Sequence, residues 1–235
     1  MKDSVGTKVI VGMTTMEYNI ILSHDHILIE SVGGILLIDT GSPMSFHENG
    51  LIHLGGEEFP VSSSLMGVDS SYIAEKVGVQ VSGLLGMDII SRLGMKIDVS
   101  GGKLSFNPST EGMTRLPSRM GMGYMSVEMV LTGKPAKIIL DTGAPTSYVS
   151  ASFTEGLDPI GQVTDFNPLV PGDTFETPIF EFPASFAGKG FTMRAGHLPA
   201  SLQMMLSVLG VDGVVGMEIL KRFTVTIAEG SIWIQ

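Results

Sequence analysis

Short apolar runs broken by Gly, Asn, Asp and Pro dominate this chain, and few of them are long enough for a helix. The pattern predicts strands at 8–11, 18–22, 26–30 and 34–38, the last two joined across Val32-Gly33-Gly34. Further strands are expected at 51–54 and 59–61, around Gly55-Gly56, and at 95–99 and 103–106, around Gly101-Gly102. Residues 72–77 read equally well as a short helix or an edge strand. At 83–93 the sequence GLLGMDIISRL reads as a buried strand end, a close-packed Gly86 and a short amphipathic helix.

The plan then restarts. Strands are expected at 124–131 and 136–140, joined by a turn at Gly133-Lys134-Pro135. The stretch GVVGMEILKRF at 213–223 matches 83–93 position by position in character, and a hairpin over 223–234 follows it. This is an internal repeat of about a hundred residues. The Pro-, Ser-, Gly- and Thr-rich stretch 107–123 lacks periodicity. It places an N-terminal lobe at 1–110, a linker at 111–123 and a C-terminal lobe at 124–235. Residues 198–209 have helix-like composition with a proline at the start.

Each repeat delivers the same polar cluster from the end of an apolar strand. Ile35-Leu36-Leu37-Ile38 leads into Asp39-Thr40-Gly41-Ser42, and Ile138-Ile139-Leu140 into Asp141-Thr142-Gly143-Ala144. Copies packed about a pseudo-twofold axis would bring Asp39 and Asp141 together. Two adjacent carboxyls share one proton, so one serves as acid and the other as base. Gly41 and Gly143 permit sharp turns and close backbone approach, and their N–H groups can point at the carboxylates. Thr40 and Thr142 can bond across the axis. Ser42 can donate to the outer oxygen of Asp39, which Ala144 cannot do for Asp141; that asymmetry makes Asp39 the more readily ionised member.

Two DTG motifs, each after an apolar strand and each followed by Leu-Leu-Gly or Val-Val-Gly, resemble the pepsin and retropepsin superfamily of aspartic proteases. The resemblance covers most of both halves. It implies an all-β, bilobal fold of acid-protease-like closed barrels, with one short helix after each hydrophobic-hydrophobic-Gly motif. It implies Asp39 and Asp141 as the catalytic pair and an aspartic endopeptidase acting on a peptide or protein substrate in a cleft between lobes. Aspartic proteases are themselves the standard example of two aspartates sharing a proton. From Asp39 to Gly86 is 47 residues and from Asp141 to Gly216 is 75. The extra length includes 163–177, which has strand-like ends and a Pro/Gly tip. If the family's flap exists here, this hairpin is the better candidate, with Phe166, Pro168, Gly172 and Phe175 near its tip. Pepsins carry the flap on the first half, so the arrangement would be reversed. The shorter first-half region favours a second reading, a peptide-binding or scaffolding module with little catalysis.

Composition narrows the rest. A net charge of −10 argues against nucleic acid or an anionic membrane as main partner. Absence of cysteine removes disulfides and thiolate chemistry and fits the cytoplasm. No signal-peptide pattern and no apolar run of membrane-spanning length is seen. No cofactor and no metal is expected. His24 and His26 share a strand face, but without a third ligand they read as a surface turn; His47, His53 and His197 receive no role. The sixteen methionines read chiefly as core filling. Both halves lie on one chain, so a monomer suffices and a dimer stays open.

Overall fold

The computed structural model describes residues 14–167, 170 and 172–235. The strand expected at 8–11 and Pro168 of the candidate flap lie outside the described residues. Within them the protein is mostly β, with a few short helices. None of those helices is long and apolar enough to cross a membrane.

The two halves use the same strand pairing around each Asp-Thr-Gly motif. Gly34–Ile38 runs parallel to Gly83–Leu85, with Leu37 opposite Leu84. Lys134–Leu140 runs parallel to Gly213–Val215, with Ile139 opposite Val214. In both cases the paired residues stand two positions before the aspartate and two before the second glycine. A short strand seven residues after each aspartate completes the set: Phe46 pairs with Leu84 and Tyr148 with Val214. These strands are buried on both faces, so they read as continuous apolar runs rather than alternating ones. Leu36, Ile38, Ile138 and Leu140 are fully buried. Gly83, Gly86, Gly213 and Gly216 must be glycine, because a Cβ on any of them would collide with backbone at 2.0–2.6 Å.

Each half enters this arrangement through a hairpin with a two-residue turn. His24 and Asp25 (φ 47° and 61°) join Ile21–Ser23 to His26–Ser31. Met122 and Gly123 (φ 51° and 83°) join Ser118–Gly121 to Tyr124–Leu131. Positive φ at both turn residues matches the twist of the flanking strands.

A six-stranded sheet draws on both halves. Met95–Asp98 of the first pairs antiparallel with Val225–Ala228 of the second, and a single apolar core runs across the junction. This sheet is why the expected closed barrels are not seen among the described residues. It removes Met16–Asn19 and the 95–106 hairpin from the first half's own sheet. The hairpin Leu51–Leu54 with Glu57–Pro60 then stands as a separate two-stranded sheet.

The stretch expected as a linker is also built into the sheets. Thr114–Arg115 pairs with Ser231–Ile234, and Ser118–Gly121 with Tyr124–Leu131. The ambiguous 72–77 segment is a helix, Ser70–Val77. Asp69 caps it by accepting from Tyr72 N at 2.9 Å, and Gly78 (φ 74°) ends it. The helix Met87–Leu93 forms as expected, and its counterpart Met217–Leu220 is a single turn. The extra length of the second half goes into a hairpin, Gly161–Phe166 with Thr174–Phe186, while the helix Ala200–Leu209 stands where Ser70–Val77 does in the first half.

Candidate active site

Thr40 and Thr142 tie the two polar loops together. The N–H of Thr40 donates to Thr142 Oγ1 at 3.0 Å, and the N–H of Thr142 donates to Thr40 Oγ1 at the same distance. Each hydroxyl then donates at 2.7 Å to a carbonyl of the opposite strand, Thr40 to Leu140 and Thr142 to Ile38. Both threonines are fully buried. Four hydrogen bonds thus cross between segments a hundred residues apart, related by local twofold symmetry.

This lock sets Asp39 and Asp141 side by side, each carboxyl packed against the glycine of the other loop and close enough to interact with its partner. Gly41 N–H donates to Asp39 Oδ1 and Gly143 N–H to Asp141 Oδ1, both at 2.8 Å. The surrounding protein strips water from both acids and raises both pKa values. Asp39 is held well above the ordinary carboxylate range by this desolvation and by the charge of Asp141. Asp141 is raised chiefly by desolvation, against the backbone N–H of Gly143. The pair therefore retains a proton where a free aspartate would have lost it.

Ser42 does not play its expected part. Its hydroxyl donates to the Met44 carbonyl at 2.8 Å, a partner supplied by its own loop, and so turns from Asp39. The Ser42 hydroxyl therefore gives Asp39 no preference to ionise first. Ala144 closes the second loop from the backbone, its N–H meeting the Asp141 carbonyl at 3.4 Å.

The dyad lies at the floor of a cleft with a cavity on either side. One of about 170 Å³ is walled by Ile139, Phe175, Leu198, Leu202 and Leu206. The other, about 240 Å³, is walled by first-half residues including Leu37, Phe46, Leu65 and Ile73. The second-half hairpin reaches this cleft. Phe166 lines both cavities and Phe175 one, while Gly172 is exposed near the tip. Asp165 fixes the hairpin near its end, accepting from the Tyr148 hydroxyl and from Phe166 N–H. Burial and the bond to Asp165 push the Tyr148 hydroxyl far above its usual pKa. Across the cleft, the Tyr72 ring meets Phe166 edge-on at 6.4 Å, and the Gly172 N–H approaches its hydroxyl at 3.5 Å.

Sequence reading missed Tyr72, Tyr124, Tyr148, Asp165 and the turn between Leu65 and Val68, all cleft-lining or hairpin-fixing residues. Aligning the halves on their aspartates would have found one of them, since Tyr148 stands where Phe46 does; Tyr124 matches His26 only through strand register. The histidine pair also divides. His24 belongs to the turn, but His26 is only 5% exposed and lines the first-half cavity. Among the described residues, no group of three or more His, Asp or Glu side chains could hold a metal ion.

No protein-family model matches the chain, and no curated protein matches it. Among solved structures, a retropepsin-like aspartic protease from Rickettsia conorii is similar at 15% identity and a TM-score of 0.38, over 52% of this chain and 89% of that one. A likeness that loose decides nothing about chemistry.

Proposed function

We propose that the protein is an aspartic endopeptidase with Asp39 and Asp141 as its catalytic pair. The observation that carries this reading is the contact between two desolvated carboxyls on symmetry-related loops at the floor of a cleft. Such a pair holds one proton, which supplies a carboxylate and a carboxylic acid to one substrate. The carboxylate takes a proton from water as its oxygen attacks the peptide carbonyl carbon. The acid gives its proton to the carbonyl oxygen, and a tetrahedral diol results. Returning a proton to the nitrogen breaks the C–N bond and leaves a carboxylic acid and an amine. Gly41, Gly143, Thr40 and Thr142 hold the acids in place, and the 161–186 hairpin covers the cleft with Phe166 and Phe175. Ser42 and Ala144 shape the loops, and their backbone N–H groups favour the charged forms of Asp39 and Asp141.

The test is hydrolysis of a mixed peptide library from pH 3 to pH 8, with Asp39→Asn and Asp141→Asn as controls. Cleavage by the wild type that both variants lose is the expected result. Absence of cleavage alongside intact peptide binding would favour the binding-module reading, for which the short first-half turn at Leu65–Val68 speaks.

A further inference from the structure

Two cations of the second half are left without a partner, and they share a cavity. Every other Lys or Arg side chain among the described residues meets a carboxylate, an amide or carbonyl oxygen, a hydroxyl or an aromatic ring. Arg119 and Lys137 meet none. Both line a cavity of about 230 Å³ that reaches from the sheet to Leu209 and Val211 at the end of the helix Ala200–Leu209. On a chain of net charge −10, a pocket holding two free positive charges stands apart from the rest of the surface.

Strand register places this pocket beside the cleft. Arg119 stands opposite Ser126, and Ser126 opposite Ile139. Lys137 and Ile139 share a face of the strand Lys134–Leu140, which ends one residue before Asp141. Tyr124 and Ile139 wall this pocket and also the cavity next to the aspartates. Lys137 lies four residues before Asp141, about 13 Å along an extended chain. A peptide lying extended in the cleft spans that distance in about four residues.

The acids nearest in register do not neutralise the pair. Asp212 accepts the Lys137 backbone N–H at 2.8 Å, and Glu128 lies opposite Lys137. Neither makes an ion pair with Arg119 or Lys137 among the described residues. The nearby helix end does not engage them either: its Leu206 and Ser207 carbonyls accept from the N–H groups of Val211 and Gly210.

We propose that this pocket binds a carboxylate of the peptide substrate, supplied by an acidic side chain or by the C-terminus. It rests on the peptide-hydrolase reading of the dyad and adds a charge preference to it. The Arg119 guanidinium offers paired donors that match the two oxygens of a carboxylate, and Lys137 adds a second charge. An anion between the two cations also removes their mutual repulsion.

Two arms of one experiment separate the pocket from the chemistry. In the first, three fragments are titrated into the full chain while the Arg119 and Lys137 side-chain signals are followed by NMR. They are N-acetylglutamate with an amidated C-terminus, N-acetylglutamine with a free C-terminal carboxylate, and the neutral N-acetylglutamine amide. A charged fragment should bind about three- to twentyfold more tightly than the neutral one, and which of the two does so tells side chain from terminus. The preference should shrink in about 0.5 M salt and vanish when Arg119→Gln and Lys137→Gln are combined. It should grow in Glu128→Gln, which removes a competing carboxylate. In the second arm, a randomised peptide mixture with free or amidated C-termini is cleaved and the products are sequenced. Glu and Asp, or a free C-terminus, should be enriched about four residues from the cut on one side. Equal affinity for charged and neutral fragments, or a preference that survives the double variant, overturns the pocket. If the double variant does not fold, the salt dependence of the wild type and Glu128→Gln decide. Cleavage without enrichment of carboxylates sinks the pocket and leaves the hydrolase; charge-selective fragment binding without cleavage does the reverse.

Discussion

Gly41 packs against the carboxylate of Asp141, and Gly143 against that of Asp39. A Cβ on Gly41 would sit 2.1 Å from Asp141 Oδ2, and one on Gly143 would sit 2.6 Å from Asp39 Oδ1. Neither carboxylate can retreat, since each is held by its own loop's N–H and by its neighbour. Gly41→Ala must therefore push Asp141 aside. We expect it to lower kcat/KM by about 100-fold, the cost of displacing a reacting group by roughly 1 Å. The fold should survive with a loss of about 1–3 kcal/mol from overpacking. Paired kinetic and denaturant measurements check this; a variant with wild-type kcat/KM would show that the carboxylate position is not critical.

The threonine lock gives a stability forecast. Thr40→Val keeps the shape but removes the acceptor for the Thr142 N–H and the donor to the Leu140 carbonyl. Two buried backbone groups then lose partners, at about 1–3 kcal/mol each. Thr142→Val does the same to Thr40 N–H and the Ile38 carbonyl. Because the paired distances match, the two variants should lose similar stability, about 2–5 kcal/mol, in urea unfolding. A large difference between them would mean that the halves are not equally coupled.

Much of this was legible in the sequence because it is local. An apolar run ending in Asp-Thr-Gly sets a strand end, and the repeated Gly-containing stretches at 83–93 and 213–223 give the parallel partner. What could not be read depends on contacts between distant segments. His26 has the pattern of a turn-side residue, but the first-half helix and the second-half hairpin come to lie around it. Ser118–Gly121 reads as linker by composition, yet Met122-Gly123 folds it back onto Tyr124–Leu131. Ser42 has two acceptors within its loop's reach, and its sequence does not say which one wins. The barrels fail to close because strands from each half pair with the other, a choice that register within one half does not reveal.

Tyr72 is the first half's contact with the candidate flap. It meets Phe166 edge-on at 6.4 Å and receives a long bond from Gly172. An aromatic pair of this kind contributes about 0.5–1.5 kcal/mol. If the hairpin covers bound peptide, Tyr72→Ala should raise KM by about two- to tenfold and leave the melting temperature nearly unchanged. Tyr72→Phe should keep most of the wild-type KM, because the ring contact persists and a 3.5 Å hydrogen bond is weak. An unmoved KM in Tyr72→Ala would remove the flap role from this hairpin.

Proton linkage at the dyad has a definite sign. Both aspartates have folded-state pKa values raised above 3.8 by loss of water, and Asp39 is raised further by the charge of Asp141. Below pH 3.8 folded and unfolded chains both hold these protons, so the dyad adds no pH dependence. As pH rises through 3.8 the unfolded chain releases them first, while the folded chain keeps them. The unfolded state then binds fewer protons, and stability falls with rising pH until the folded dyad has also ionised. Asp39→Asn removes one of the two raised acids and relieves Asp141 of a neighbouring charge. The variant should therefore lose less stability than the wild type between about pH 4 and pH 7, and the gap between them should close as pH falls toward about 3. Urea unfolding of both proteins across that range measures it. The same retained proton extends the acid-plus-carboxylate state above the range of an ordinary aspartate, so peptide hydrolysis should persist there in the wild type. Parallel stability curves for the two proteins would mean that Asp39 titrates alike in the folded and unfolded chains, and the retained-proton mechanism would fall with it.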